Sequence, residues 1–259
     1  MPSRAGNTFP PDFLYTVWVK VSFVIPAYNE EKLIGACLQS VLIEIERGRF
    51  DAEVIVVNNA STDRTRDMAS SFDGVRIVDE PRKGLTRARQ TGFEASSGEI
   101  IANIDADTKV PPGWLTTVMD EFTHDQALVA LSGPFIYYDI SAIERAQVKA
   151  FYMVGYFIQN VLRAGVYLQG GNFVLRRDAL MRAGGFDTTI EFYGEDTDIA
   201  LRIKRHGKVK WTFKLPMYTS GRRLHEEGVL ETGFRYALNF FSTTLSGRPV
   251  TKTHVDVRS

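Results

Sequence analysis

Short runs of β-branched and aliphatic residues alternate with segments of helical period along the first part of the chain. Buried strands are predicted at residues 19–25, 53–57, 75–78 and 100–104. Helices are predicted at residues 30–46, 62–71 and 84–95. The first strand is expected to stop at Pro26. Strands that alternate with helices predict an α/β fold with a Rossmann-like, mostly parallel sheet that helices cover on both faces.

The second half of the chain has a less regular pattern. Strands are predicted at 128–138, with a break at Gly133-Pro134, at 209–213, and directly after Gly170-Gly171. Helices are predicted at 140–164, 177–183, 197–206 and 231–244. We expect an N-terminal extension at 1–17, one domain at 18–245 and a flexible tail at 246–259.

The composition is that of a globular protein without excess charge. With 259 residues, 44% of them apolar, the chain can bury a large core without disulfides or structural metals. Its 31 basic and 31 acidic residues give a net charge of zero, so we expect no nucleic-acid partner. The lone cysteine, Cys37, lies at helical spacing among aliphatic residues and is expected to fill the core. A single cysteine cannot form an internal disulfide. Because that suits a reducing compartment, we expect a cytoplasmic location.

No stretch of the sequence has the roughly 18 to 20 apolar residues that span a bilayer, and the polar start at 1–12 is unlike a secretory signal. The most apolar segment, 150–162, is shorter than a span and contains Gln159 and Asn160. Two interpretations stay open for it. It is either a buried helix or an aromatic face that touches a membrane, or a lipid-linked acceptor, from the cytoplasmic side.

Polar clusters follow three of the predicted strands. They occupy residues 26–30, 58–63 and 105–107. Ligands of open parallel sheets bind at the carboxyl ends of the strands. The three clusters are therefore expected to converge on one crevice, which predicts a nucleotide site.

Asp105-Ala106-Asp107 follows a buried strand directly. Carboxylates at positions i and i+2 share one side if the strand conformation continues. Two neighbouring acids repel unless a cation neutralises them, and one or two carboxylates with substrate phosphates are a typical Mg²⁺ or Mn²⁺ site. The alternative is a pair of turn or cap aspartates ahead of Pro111-Pro112.

A second acidic cluster, 194–198, precedes a segment of helical period. Asp196 or Asp198 can cap that helix and interact favourably with its dipole. A carboxylate of this cluster can also act as the general base that removes a proton from an attacking hydroxyl. The two roles are compatible, because one aspartate can cap the helix while the other is the base.

Several basic residues are candidates to neutralise a diphosphate: Lys83, Arg87, Arg89, Arg222 and Arg223. Taken singly, each is more typical of a solvated surface charge. His225 lies two residues beyond Arg223. It is interpreted either as a metal or phosphate ligand or as a hydrogen-bonded loop histidine.

A series of short motifs in a fixed order carries a family resemblance. The motifs are 24–30, 57–63, Gly84-Leu85, Ala88-Arg89, Gly92, 98–101, 105–107, Gly170-Gly171-Asn172, 184–187 and Glu195-Asp196. Over residues 20–210 the chain resembles the family 2 glycosyltransferases, which have the GT-A fold. The resemblance implies a nucleotide-sugar half at 18–127 and an acceptor half at 128–245. It also implies sugar transfer from a nucleoside diphosphate to an acceptor hydroxyl, assisted by Mn²⁺ or Mg²⁺ and inverting the anomeric carbon.

The resemblance and the residue types together give a set of expected roles. Asp196 is the implied general base, and the candidate metal ligands are Asp107, Asp105 and His225. The candidate donor-binding residues are Pro26, Ala27, Tyr28, Glu30, Asn58, Lys83, Arg89, Asp105, Ala106, Gly171, Glu195, Arg222 and Arg223. Asn58 stands where the family usually has aspartate, and its amide still offers a carbonyl acceptor to a base. A UDP-sugar is the favoured donor, with GDP-mannose as the alternative.

The expected acceptor is a saccharide or a lipid-linked saccharide, as in the synthesis of cell envelope polysaccharides. A polyprenyl-phosphate acceptor and a non-catalytic nucleotide-sugar-binding module are the alternatives. A nucleotidylyltransferase is disfavoured because the loop at 26–30 contains no glycine. A dinucleotide-binding dehydrogenase is disfavoured because no G-x-G-x-x-G follows the first strand.

Overall fold

A central sheet of seven strands organises the computed structural model, which describes residues 19–157, 166–190 and 193–251. From one edge to the other the strands are β3 (Val75–Asp79), β2 (Ala52–Asn58), β1 (Val21–Ala27), β4 (Ile100–Ile104), β8 (Asn172–Arg176), β6 (Leu128–Ser132) and β9 (Lys208–Trp211). β8 runs antiparallel to both of its neighbours, and the other pairs are parallel. The prediction of a mostly parallel sheet is confirmed.

A small second sheet and nine helices complete the described part of the fold. The small sheet contains β5 (Thr108–Lys109), β10 (Met217–Thr219) and β7 (Phe135–Tyr137). The helices are α1 (Ile34–Gly48), α2 (Thr65–Ser70), α3 (Leu85–Ala95), α4 (Trp114–His124), α5 (Ala142–Tyr156), α6 (Arg177–Arg182), α7 (Glu195–Ile203), α8 (Arg222–Glu227) and α9 (Val229–Ser246). A short 3-10 turn, Lys204–His206, follows α7.

Each face of the large sheet packs against its own hydrophobic core. One core joins the sheet to α1, α2 and α4, and the other joins it to α3, α6 and α7. Alternate residues of one strand serve the two cores, as Phe23 and Val24 of β1 do. Cys37 is fully buried in the first core, which confirms its predicted role as a core residue.

Two predicted boundaries are wrong for reasons visible in the structure. β1 continues through Pro26, which stands opposite Val57. Pairing of β1 with β4 ends at Val24, so Pro26 lies near the end of the ladder, where a missing N–H is tolerated. The first helix begins at Ile34 rather than Glu30, because the Glu30 N–H donates to Thr65 Oγ1 at 2.7 Å and holds this segment in a turn.

The sequence prediction omitted α4, α8 and the two short strands β5 and β10. α4 carried a usable pattern, since its buried residues recur at helical spacing: Trp114, Leu115, Val118, Met119 and Phe122. The short strands carried none, because two or three residues are too few to show a period.

The remaining predictions concern the apolar segment 150–162, which includes the end of α5, and the two ends of the chain. No residue of α5 is buried among the described residues, so the buried-helix interpretation of 150–162 is wrong for residues 150–157. Residues 158–165 lie outside the described part, as do the extension at 1–17 and residues 252–259 of the predicted tail. The start of that tail packs on α9, since the Thr251 N–H donates to Asn239 Oδ1 at 3.0 Å. None of the described helices is long and apolar enough to cross a bilayer.

Candidate functional site

The polar clusters after β1, β2 and β4 meet at one edge of the sheet. These strands are adjacent and parallel, so their carboxyl ends lie side by side. Hydrogen bonds tie the first two clusters together: the Asn59 N–H donates to Ala27 O at 2.8 Å, and the Thr62 N–H donates to Asn29 Oδ1 at 2.8 Å. The three polar clusters therefore converge at this edge, as predicted, and a nucleotide crevice there stays a prediction.

Asn58 is the last residue of β2, and the two polar atoms of its side-chain amide differ in their hydrogen bonding. Its Nδ2 donates to Asp79 Oδ1 at 2.8 Å. Its Oδ1 is buried and has no hydrogen-bond partner among the described residues. A buried carbonyl without a donor is unfavourable by about 1–3 kcal/mol, so a ligand N–H at this point would be stabilised. Beside it, Lys83 Nζ lies 3.8 Å from the centroid of the Tyr28 ring.

Asp105 and Asp107 lie in a turn, because β4 ends at Ile104. Thr108 fixes the turn by donating its N–H and its Oγ1 to Asp105 O, at 3.1 and 2.7 Å. Ala106 points into the core and is buried. The two carboxylates contact different arginines, so each stands at a separate point of the site.

Arg222, at the start of α8, bridges two acids of the crevice. Its guanidinium donates to both carboxylate oxygens of Glu30 and lies 2.9 Å from Asp107 Oδ2. Glu30 and Arg222 are 192 positions apart. The tertiary structure thus brings Arg222 into contact with Glu30 and Asp107, which were predicted as site residues from separate parts of the sequence.

Arg89 forms a buried ion-pair cluster behind the crevice. Its side chain is 1% exposed, and its guanidinium contacts Asp105 at 3.1 Å and Glu195 at 2.5 Å. It also lies 4.9 Å from the centroid of the Phe173 ring. A direct contact from Arg89 to the donor stays a prediction. The geometry gives Arg89 a positioning role, because it links the end of β4 to the first residue of α7.

Burial raises the pKa of Glu195 to about 8, with Arg89 acting in the opposite direction and the charges of Asp196 and Asp105 adding to the rise. Only one of its carboxylate oxygens has a partner among the described residues. Two carboxylates, of Asp105 and Glu195, thus contact a single buried guanidinium, and the charge of Asp196 also acts on it. Such a cluster is poorly neutralised, so a further positive charge near Asp105 or Asp196 would be stabilised.

Asp196 is half-buried in the first turn of α7. Its Oδ2 accepts from the Gly170 N–H at 3.1 Å and its Oδ1 from the Thr197 N–H at 2.7 Å. Burial raises the pKa of this carboxyl, and the N–H donors and Arg89 partly offset the rise. The N-cap of α7 is Gly194 and no side chain caps the helix, so the prediction of Asp196 or Asp198 as its cap is wrong. Asp198 instead pairs with Arg202 at 2.6 Å.

Two tyrosines interact electrostatically with Asp196, and a third packs against one of them. The charge of Asp196 acts on both Tyr167 and Tyr236, and the Tyr236 ring contacts Tyr193 edge-on at 5.8 Å. Arg223 Nη1 lies 3.1 Å from Glu227 and 3.5 Å from the Tyr193 hydroxyl. Sequence analysis missed the three tyrosines, because they lie on separate elements and share no motif.

The glycine pair that directly precedes β8, Gly170-Gly171, allows the acids to approach the backbone. A Cβ on Gly171, whose φ is +77°, would lie 2.1 Å from Asp105 Oδ2. A Cβ on Gly170 would lie 3.2 Å from Glu195 Oε1. Gly171 therefore belongs to the site through its lack of a side chain.

The residues present fit a divalent cation only together with a ligand that supplies further oxygens. Among the described residues no group of three or more His, Cys, Asp or Glu side chains is placed to hold a metal ion. Asp107 and Asp105, which are separated by Ala106, match the one or two carboxylates that hold Mg²⁺ or Mn²⁺ beside substrate phosphates. His225 Nε2 lies near Gly221, and its role as a third ligand stays a prediction.

Comparison with known proteins gives a family and a fold. The sequence model described as "Glycosyl transferase family 2" matches residues 22–184. The chain is 28% identical over 203 residues to "Probable glycosyltransferase YdaM" of Bacillus subtilis, covering 73% of this chain and 47% of that protein. It is 24% identical over 181 residues to the "Glucosyl-dolichyl phosphate glucuronosyltransferase" of Haloferax volcanii, covering 66% of this chain and 56% of that protein. The matched part is thus about half the length of these relatives.

A solved structure shares the fold. The mannosyltransferase of Pyrobaculum calidifontis, in complex with GDP-Man and Mn²⁺, superposes with a TM-score of 0.64. The match has 23% sequence identity and covers 84% of this chain and 63% of that chain. This likeness confirms the predicted GT-A fold.

Proposed function

The chain belongs to glycosyl transferase family 2, and from that membership and the geometry of the site we propose that it moves a sugar from a nucleoside diphosphate to an acceptor hydroxyl. The observation that carries the proposal is the placement of Asp196. It is a half-buried carboxylate with a raised pKa, held by the Gly170 N–H. It adjoins Glu195, which Arg89 links to Asp105 at the strand ends.

The proposed donor site lies over the ends of β1, β2 and β4. Asn58 Oδ1 is available to a base N–H, while Tyr28 and Lys83 form one wall. We favour a UDP-sugar, and GDP-mannose is the second candidate because the Pyrobaculum structure holds GDP-Man. Asp107, with Asp105, would hold Mn²⁺ or Mg²⁺, which would stabilise the charge of the departing nucleoside diphosphate. That Mn²⁺ accompanies the donor in the Pyrobaculum structure supports this assignment.

Asp196 is the proposed general base of a single displacement. Its carboxylate takes the proton of the acceptor hydroxyl while the hydroxyl oxygen forms a bond to the anomeric carbon. The bond from that carbon to the diphosphate breaks on the opposite side, so the anomeric configuration inverts. Two backbone N–H groups fix the carboxylate, and burial makes it a stronger base than an exposed aspartate.

The proposed acceptor approaches from the side of Tyr167, Tyr236 and Arg223. We propose a saccharide or lipid-linked saccharide, as used in cell envelope polysaccharides, reached from the cytoplasmic face of the membrane. A polyprenyl phosphate is the second candidate acceptor, because a matched relative of Trichomonas vaginalis is named as a dolichyl-phosphate beta-glucosyltransferase.

The experiment that tests the donor site is calorimetry with UDP, GDP and CDP, each with and without Mn²⁺. We expect one nucleotide to bind only with Mn²⁺ present. Asp107→Ala should abolish the Mn²⁺ dependence, because it removes the candidate metal ligand. Asp198→Ala is the matched control, since Asp198 is a half-buried carboxylate that pairs with Arg202 away from the strand ends.

Absence of binding by every nucleotide in the presence of metal would contradict the proposal. Binding of one nucleotide that Asp107→Ala leaves unchanged would retain the donor site and overturn the metal assignment alone.

A further inference from the structure

The C-terminal helix α9 has its polar residues inside and its apolar residues outside. Its buried residues are Thr232, Asn239 and Thr243. An ordinary surface helix buries an apolar stripe and exposes polar groups, so this arrangement is inverted. A medium other than water is therefore expected to cover the outer side of α9.

Exposed leucine and phenylalanine side chains of α9 form one continuous line, which we call the apolar stripe. It consists of Leu230, Phe234, Leu238, Phe241 and Leu245. Leu230 is 76%, Phe234 69% and Leu245 85% exposed. At 3.6 residues per turn the five positions fall within an arc of about 80° and extend along about 22 Å of the helix.

The neighbouring helix α5 adds a second apolar surface. The Phe151 ring packs against Gly233 of α9, so the two helices touch. The exposed apolar residues of α5 and the position after it are Ile143, Phe151, Met153, Val154, Tyr156 and Phe157. Contiguous apolar patches of this extent are rare on proteins that are surrounded by water alone.

Basic side chains border this two-helix surface. Arg145 and Lys149 of α5 and Arg248 beyond α9 are exposed and form no ion pair among the described residues. Residues 142–156 and 229–248 carry two acids, Glu144 and Glu231, and four bases, Arg145, Lys149, Arg235 and Arg248. The border is therefore positively charged on balance.

We propose that the surface formed by α5 and α9 docks on an anionic lipid bilayer. Apolar side chains would enter the boundary between headgroups and acyl chains, and the basic border would attract the headgroups. A second copy of the chain fits less well, because two basic borders would face each other across a two-fold axis and repel. The stripe also offers no hydrogen-bonding groups of the kind protein interfaces contain.

Docking in this orientation would place the site beside the lipid. The inner face of α9 lies over the start of α7, since a Cβ on Gly194 would meet Thr243 Oγ1 at 2.7 Å. Gly194 lies two residues before Asp196. The acceptor side of the proposed base would therefore open close to the membrane surface.

The test is sedimentation of the full chain with vesicles, without donor or acceptor, so that failure leaves the proposed reaction untouched. Vesicles of phosphatidylcholine with one quarter phosphatidylglycerol are compared with phosphatidylcholine alone. We expect binding to the anionic vesicles that weakens with salt. The variants Phe234→Gln with Phe241→Gln, and Leu245→Gln alone, should reduce the bound fraction, the double variant by roughly tenfold or more, because apolar area is lost.

Ile43→Gln and Met181→Gln are the matched controls, since these apolar residues are exposed on α1 and α6 and should leave vesicle binding unchanged. Wild-type protein that does not bind vesicles, or stripe variants that bind like wild type, would overturn the proposal. A dimer in light scattering that the stripe variants dissociate would assign the surface to a second copy. A melting temperature that falls by several degrees in these variants without lipid would show that another part of the chain covers the stripe.

Discussion

At the scale of single residues, the acidic side chains of the site are packed directly against backbone. Asp105 approaches Gly171 so closely that no side chain fits there, and Asp196 accepts a hydrogen bond from Gly170. The carboxylates therefore have fixed positions before any ligand arrives. Preorganised groups of this kind need no rearrangement when charge develops during a reaction.

Replacing Gly171 with alanine should be more damaging than the same change at Gly184. Both glycines have a left-handed backbone, with φ of +77° and +83°, which costs an L-residue about 1–2 kcal/mol. An added Cβ meets Asp105 at Gly171 and nothing within 4 Å at Gly184. Urea unfolding should show a larger loss of stability for Gly171→Ala, and calorimetry should show weakened nucleotide binding for that variant alone. Equal losses in both variants would contradict a steric role for Gly171.

The raised pKa of Asp196 predicts the pH dependence of transfer. A base must be deprotonated to act, so activity should fall as the pH decreases through the pKa of Asp196. Because burial raises that pKa, the fall should occur at a higher pH than the value of about 3.9 for an exposed aspartate. The measurement is kcat/KM of the transfer reaction as a function of pH.

Asp196→Asn should lower kcat by about 10²- to 10⁴-fold, because asparagine cannot accept the proton. Asp198→Asn is its control and should retain the wild-type pH profile, since Asp198 pairs with Arg202. Transfer by Asp196→Asn at close to the wild-type rate would exclude this residue as the base.

At the scale of elements, Tyr152 connects α5 to both sheets of the protein. Its hydroxyl accepts the Phe135 N–H at 3.1 Å and donates to Gln169 Oε1 at 3.0 Å. The Tyr152 ring also stacks on Trp211, with centroids 5.8 Å apart. These contacts connect α5 to β7, to the loop before β8 and to β9.

Tyr152→Phe should loosen α5 without unfolding the sheet. The change keeps the ring and removes the hydroxyl, leaving the Phe135 N–H without its partner, at a cost of about 1–3 kcal/mol. Amide hydrogen exchange should accelerate in α5 and stay unchanged in α1, on the other side of the molecule, which serves as the internal reference. Unchanged exchange in α5 would mean that other contacts hold this helix.

At the scale of the whole molecule, the two predicted halves share one sheet. β8 belongs to the acceptor half, yet it lies between β4 of the nucleotide half and β6. Asn172 reinforces the junction by donating to Gly133 O and Leu215 O while accepting from Trp114 Nε1. The halves are therefore expected to unfold together.

A single unfolding transition can be checked with variants that retain one tryptophan each. Trp114 lies in the nucleotide half and Trp211 in the acceptor half, with Trp18 replaced by phenylalanine in both variants. In each variant the fluorescence midpoint in urea should coincide with the midpoint from circular dichroism, because both halves unfold in one step. Two separated midpoints would show that the halves are independent units.

The sequence by itself determined the central strands, most of the helices around them and the acidic groups at the strand ends. These features are local. An apolar period of two or 3.6 residues, or a polar cluster after an apolar run, can be recognised within a short stretch of consecutive residues. The convergence of Asn58 and Asp105 on one edge followed from the parallel order alone, because parallel strands bring their carboxyl ends together.

Only the tertiary structure decided which groups contact each other across the chain. Arg222 reaches Glu30 over 192 positions, and Arg89 reaches Glu195 over 106. A basic residue in a sequence has the same local pattern whether it is solvated or buried between two acids. The inverted face of α9 escaped prediction for a related reason. Its helical period shows two opposite faces, and only the packing of Thr232, Asn239 and Thr243 against the body showed that the polar one is inside.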